Sequence, residues 1–213
     1  MEEKITFKQI KNAMMAIVDE LNDKRQYFND LDSPIGDSDH GDSVCSAFTK
    51  VKEVILNYDK DEKDIGDLLM NIGKAIIFSG GAAMGPLYGS AFAEAGKVLS
   101  GKNEIDYDDL VNMWISFMSG IGKRGEKIGE KTMYDTIYPA VEALKKAHSE
   151  DVPLNQAIEL VVKAAENGMN STKDMIAARG RSSRLGERTI GHIDPGSASM
   201  NAIIYTFFQN ILD

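Results

Sequence analysis

Four aspartates and a histidine fall within the thirteen residues LDSPIGDSDHGDS, positions 31–43. Carboxylates this close repel one another, so the segment calls for a positive partner: an arginine, a helix N-terminus or a metal ion. Asp32, Asp37 and Asp39 offer the oxygen donors of a hard cation such as Mg²⁺, which completes near-octahedral coordination with water and phosphate oxygens. A second reading is open on the same residues: Asp42 or Ser43 caps the following helix and the other carboxylates are solvated. A calcium-binding EF-hand loop does not fit. Starting from Asp37, Asp42 would stand where glycine is required and Phe48 where the bidentate glutamate belongs.

Three further segments carry chemistry-bearing or turn residues. SGGAAMGPLYGS (79–90) is rich in small residues and places Pro86 in a helical first turn. It reads either as an anion-cradling helix start or as a tight helix–helix turn. GIGKRGEKIGEKTM (120–133) contains Gly120-x-Gly122-x-x-Gly125. This spacing matches the dinucleotide fingerprint only by letter, because it follows an amphipathic helix and not a strand. ARGRSSRLGERTIGHIDPGS (178–197) carries Arg179, Arg181, Arg184, Arg188, His192 and Asp194-Pro195-Gly196 and reads as the longest helix-free run. Guanidinium forks suit phosphate oxygens, and at least one of these arginines is expected to pair with the aspartates of 31–43. No Walker-type phosphate loop is present.

Helical periodicity supplies the elements that position these segments. Apolar residues recur at i, i+4 and i+7 in series such as Val44, Phe48, Val51, Ile55 and Met200, Ile203, Ile204, Phe207, Phe208, Ile211. Eight helices are predicted, over roughly 6–29, 42–57, 63–78, 86–100, 107–124, 131–147, 154–172 and 198–211. No stretch alternates with period two, so strands are not expected. The fold class is all-α, a bundle or closed barrel of about eight antiparallel amphipathic helices. In an up-and-down arrangement, linkers 31–43, 79–85, 125–130 and 173–197 all follow odd-numbered helices and gather at one end. The bland linkers 58–62, 101–106 and 148–153 fall at the other. The motif-bearing residues thus share one face. His40 and His192 belong to it, while His148 reads as surface.

With 213 residues, 43% of them hydrophobic and 27% charged, the chain suits one domain spanning 1–213. A formal net charge of −9 argues against a nucleic-acid partner. One cysteine, no signal-like start and no apolar run of about eighteen residues give a cytoplasmic expectation without a membrane span.

Four stretches taken in order, LDSPIGDSDHG, SGGAAMGPLYGSAF, GEKTMYDTIYPA and GRSSRLGERTIGHIDPGS, resemble the L subunits of dihydroxyacetone kinases, the ADP/ATP-binding subunits, over essentially the full chain. The resemblance implies a closed barrel of eight antiparallel helices with the nucleotide site at one end, holding ADP or ATP through two Mg²⁺. It implies Asp32, Asp37 and Asp39 as metal ligands, and His40, Gly41, Asp42 and Ser43 against the phosphates at a helix N-terminus. Ala83 and Met84 would form the next nucleotide-contacting turn, Gly125 and Met133 would lie near the base, and Arg181, Asp194, Pro195 and Gly196 would belong to a covering loop. Several positions depart from the family pattern: Ser43 for asparagine, Val44 for methionine, Ala82 for glycine, Met84 for serine and Arg184 for an aromatic. The 125–129 turn is also one residue shorter.

The resemblance further implies kinase activity toward dihydroxyacetone or a related short ketose, bound on a separate K subunit. A stand-alone chain of this length resembles the systems in which bound ADP is recharged from phosphoenolpyruvate by a phosphotransferase-system M subunit. The general base would come from the partner. An alternative from another class is a non-catalytic ADP-binding module that signals to a regulator.

Overall fold

A computed structural model of the chain describes residues 4–58, 63–79 and 84–212. Ala83, with Ala82 and much of the 58–62 and 79–85 linkers, lies outside the described residues.

Nine α-helices make up most of the described chain: α1 Phe7–Asp23, α2 Arg25–Asp32, α3 His40–Asn57, α4 Ile65–Phe78, α5 Met84–Val98, α6 Tyr107–Gly122, α7 Met133–Ser149, α8 Leu154–Ser171 and α9 Pro195–Asn210. They close a ring. α3 packs on α1 and α4, the chain then steps α4–α5–α6–α7–α8, and α9 returns against α7, α8 and α1. The all-α barrel expected from the periodicity is therefore the observed architecture.

The expected first helix, 6–29, divides at Lys24. The bend turns α2 so that Phe28 enters the core and Asn29 reaches α3. There Asn29 Oδ1 accepts the N–H groups of Gly41 at 2.7 Å and Asp42 at 3.3 Å. Two orphan donors of α3 are capped from another helix, which lets α3 begin at His40 and not at 42. Likewise α9 begins at Pro195 and not at 198, because the Asp194 carboxylate caps it by accepting from Ser197 N–H at 2.7 Å.

The structure corrects the strand-free expectation in one place. Ile5–Thr6 (β1) and Glu104–Ile105 (β2) pair antiparallel, Ile5 opposite Ile105. Two residues per strand are too few to leave a period-two pattern.

The α4–α5 pair packs backbone against backbone. A Cβ on Gly66 would meet the Gly96 carbonyl oxygen at 2.5 Å, and one on Gly73 would meet that of Gly89 at 2.7 Å. Only glycine at these positions lets the two backbones touch. Inside the ring, Trp114 stacks on Phe208 and meets Phe207 edge-on, and Phe92 meets Phe117 edge-on, filling the centre with aromatic area. No helix among the described residues is long and apolar enough to cross a membrane.

Candidate functional site

A cavity of about 220 Å³ opens at one end of the ring. Its walls come from the α2–α3 turn, the first turn of α5, the α6–α7 connection, the strap between α8 and α9, and the start of α9. These are the linkers that counting along the chain assigns to one end.

Asp32 closes α2 and is only 9% exposed. Its carboxylate accepts the N–H of Asp39 at 3.0 Å, drawing the turn inward. The turn folds directly over that carboxylate: a Cβ on Gly36 would lie 2.0 Å from Asp32 Oδ1. Ser38 adopts a left-handed backbone, φ +63°, between Asp37 and Asp39. One carboxylate oxygen from each of Asp32, Asp37 and Asp39 lies within 4.8 Å of the others. This cluster of hard oxygen donors, half open to the cavity, fits a divalent cation. The guanidinium of Arg181 pairs with Asp37 and reaches Asp39 at 3.6 Å, so an arginine of the strap does meet the acidic turn.

His40 stands behind this cluster. Its Nε2 lies 3.0 Å from Ser199 Oγ, which also meets the Tyr88 hydroxyl at 3.0 Å and donates to the Gly196 carbonyl at 3.0 Å. With the serine proton committed to Gly196, both His40 Nε2–H and Tyr88 O–H donate to Ser199. In the neutral imidazole that assignment leaves Nδ1 as the free acceptor. Burial agrees with it, pushing the imidazole down to about 4. Asp194, at the foot of α9, is displaced oppositely. Burial pushes its carboxyl up to about 7, against the pull of Ser197 and Lys131.

Of the expected site residues, Asp32, Asp37, Asp39, His40, Ser43, Met84, Met133, Arg181, Asp194, Pro195 and Gly196 line the cavity. Gly41, Asp42 and Gly125 do not. The amides of Gly41 and Asp42 are taken by Asn29, and the Asp42 carboxylate pairs outward with Arg25. Gly125, at φ +94°, offers its carbonyl to Arg179, which also pairs with Glu130 at 2.9 Å. His192 sits at the same end but outside the cavity wall, and His148 pairs with Asp108 at the opposite end. The run 178–197 is not free of helix: Ser182–Thr189 form 3-10 turns within it.

Sequence reasoning missed four contributors. Lys131 is 1% exposed, and its ammonium donates to the carbonyls of Thr172 and His192. Glu126 lines the cavity and keeps one buried carboxylate oxygen without a hydrogen-bond partner. Ser199 and Tyr88 hold His40. Glu126 falls in the predicted 125–130 linker, and Lys131, Tyr88 and Ser199 fall in predicted helices. One signal was available: Tyr88 and Ser199 are polar at positions where the helical stripe turns inward.

The chain is similar to known proteins over most of its length. Residues 34–209 match the family model of the DAK2 domain. The chain is 35% identical over 206 residues to the ADP-binding subunit of PEP-dependent dihydroxyacetone kinase 2 of Listeria innocua, covering 96% of this chain and 94% of that one. It is 36% identical over 193 residues to the ADP-binding subunit of the PEP-dependent dihydroxyacetone kinase of Escherichia coli, covering 90% and 91%. Among solved structures, the dihydroxyacetone kinase of C. freundii in complex with AMP-PNP and Mg²⁺ superposes with a TM-score of 0.69 at 19% identity, over 98% of this chain and 35% of that one. The same enzyme in its native form gives a TM-score of 0.73 at 21% identity, over 94% and 34%. A fold shared at such low identity, together with relatives above 30% identity along nearly their whole length, leads to one assignment: the chain belongs to the DAK2-domain family.

Proposed function

We propose that this chain, as one domain spanning residues 1–213, is the nucleotide-binding subunit of a cytoplasmic dihydroxyacetone kinase. It would hold ADP or ATP with two Mg²⁺ and pass a phosphoryl group to dihydroxyacetone or a related short ketose on a separate K-type subunit. Recharging would come from phosphoenolpyruvate through an M-type phosphotransferase subunit. The observation that carries the reading is the convergence of Asp32, Asp37 and Asp39 beside Arg181 at the mouth of the ring. The relatives' names supply the donor and the acceptor, and the erythrulose kinase named in Mycolicibacterium smegmatis (29% identity) keeps other short ketoses open as acceptors.

Phosphoryl transfer asks the protein for positioning and charge neutralisation more than for covalent chemistry. Asp32, Asp37 and Asp39 are the residues that would hold Mg²⁺. When bound, the metal offsets charge on phosphate oxygens. Arg181, paired with Asp37 in the structure, would add a guanidinium contact to the phosphates. His40, kept neutral by burial and oriented by Ser199, offers Nδ1 as an acceptor and adds no competing positive charge. Ser43 and Met133 line the cavity, and the 179–197 loop would exclude water. The orphan oxygen of Glu126 accepts a donor from the bound nucleotide, a hydroxyl or an amino group, because a buried carboxylate oxygen left unpaired is costly. The general base toward the acceptor comes from the partner.

Calorimetry on Asp37→Asn tests the metal assignment. Mg²⁺-dependent ADP binding should be lost while helical content stays unchanged, and normal ADP affinity in that variant would sink it. Met84 presents a methionine to the cavity where the family commonly carries serine, which favours the rival of a non-catalytic ADP-binding module. Reconstitution with K and M subunits, the general phosphotransferase proteins, phosphoenolpyruvate and dihydroxyacetone separates the two. Triose phosphate formation supports the kinase subunit, and nucleotide binding without turnover supports the module.

A further inference from the structure

Lys131 is an unusual residue for its place. It precedes α7 with a left-handed backbone, φ +59°, a conformation that glycine or asparagine adopts far more readily than lysine. Its side chain is almost wholly withdrawn from water, and burial lowers its affinity for a proton. A charge kept at such a site must be satisfied by specific partners. Those partners are the two carbonyls at the ends of the strap: Thr172, the C-cap of α8, and His192, three residues before α9. The carboxylates of Asp194, Asp174 and Asp135 oppose that loss of proton affinity. The negative end of the α8 dipole adds to them.

The strap itself is closed like a loop drawn at its neck. Gly191 N–H donates to the Lys173 carbonyl at 2.7 Å, and Asp194 N–H donates to Thr172 Oγ1 at 3.0 Å. Between these ties the strap carries Arg181 to the acidic turn. Near its start, Ala178 N–H donates to the Glu130 carbonyl at 3.1 Å, next to Lys131 in sequence. One ammonium therefore joins both ends of the strap to the start of α7, whose first residues also line the cavity.

We infer that Lys131 is a positioning residue: it fixes the strap of residues 173–193 across the cavity mouth and thereby sets the reach of Arg181. The functional half of this inference rests on the nucleotide-binding reading above, whereas the structural half does not. The ammonium has three donors and meets both carbonyls from one atom, which offsets the cost of the left-handed backbone at Lys131.

Hydrogen exchange followed by mass spectrometry on the full chain, without ligand, tests the structural half. Lys131→Met removes the ammonium and keeps the backbone strain. Lys131→Gly removes the ammonium and relieves the strain, so it keeps the test open should the first variant fold poorly. In both, exchange of amides in 173–193 should accelerate roughly tenfold to a hundredfold, the range for losing charge-assisted hydrogen bonds. Exchange in α1 and α6 should stay as in the wild type. Unchanged strap exchange, or equal acceleration throughout the ring, would overturn the assignment. Calorimetry with ADP and Mg²⁺ tests the other half: both variants should bind at least tenfold more weakly. A released strap with unchanged ADP affinity would overturn the positioning role. A released strap in a chain whose wild type binds no Mg²⁺–ADP would uphold the strap assignment and refute the nucleotide reading.

Discussion

Two ionisable groups beside the cavity drive stability in opposite directions with pH. His40 is held at about 4, below the 6.5 of a free imidazole. Its folded form takes a proton less readily than the unfolded chain, so its contribution is complete above pH 6.5 and is lost as pH falls toward 4. At 1.36 kcal/mol per pH unit, the loss is about 3 kcal/mol as an upper limit. Asp194 is held at about 7, above the 3.8 of a free carboxyl. Its contribution is complete below pH 3.8 and is lost as pH rises through 7, by about 4 kcal/mol at most. Over the shared window the two nearly cancel. Asp194→Asn keeps an oxygen to cap α9 but cannot ionise. Urea unfolding in EDTA, in steps from pH 4 to pH 7.5, should show this variant gaining on the wild type as pH rises. His40→Gln, which preserves a donor to Ser199, should gain on the wild type as pH falls. Taking variant minus wild type cancels every other titrating group. Flat differences in both variants would refute the assignment of these burials.

Gly41→Ala should lower the melting temperature by several degrees, read by calorimetry. Its Cβ would lie 2.0 Å from the Arg25 carbonyl oxygen, and overpacking of about 1–3 kcal/mol outweighs the helix propensity of alanine. Cys45 is 5% exposed with its thiol pushed up by burial, so Ellman's reagent should react slowly in the folded protein and readily in urea. Mg²⁺ near a hundredfold its dissociation constant should stabilise the wild type by about 2.7 kcal/mol. The accompanying rise in melting temperature, followed by thermal shift, should be absent in Asp37→Asn.

What the sequence made legible follows physical scale. Helix faces repeat over many residues, so apolar stripes such as Val44 to Ile55 located the ring, and counting linkers located its functional end. Three aspartates within eight residues pointed to a cluster of oxygen donors, and the structure brings one carboxylate oxygen of each within 4.8 Å of the others. Single long-range hydrogen bonds leave no such pattern. Asn29 capping α3 from twelve residues upstream moved its start to His40 and withdrew Gly41 and Asp42 from the cavity. Lys131 opens the predicted helix 131–147, and nothing local reveals that the Thr172 and His192 carbonyls converge on it. Glycine is ambiguous for the same reason. Gly125 reads as a ligand cradle, yet its positive φ serves to present a carbonyl to Arg179.

The direction of α9 has a consequence for how the domain can be joined to other chains. Starting at the cavity, its sixteen residues carry the backbone ~24 Å away from the mouth. The short β1 strand leads into α1 from the 101–106 linker side, at the same remote end. Residues 4 and 212 thus both lie on the blind side of the ring. A tag, tether or fused neighbour on either one leaves the mouth unobstructed. Bridging the two with a short linker and opening the chain within 148–153 should give a circular permutant that keeps every cavity-lining segment intact.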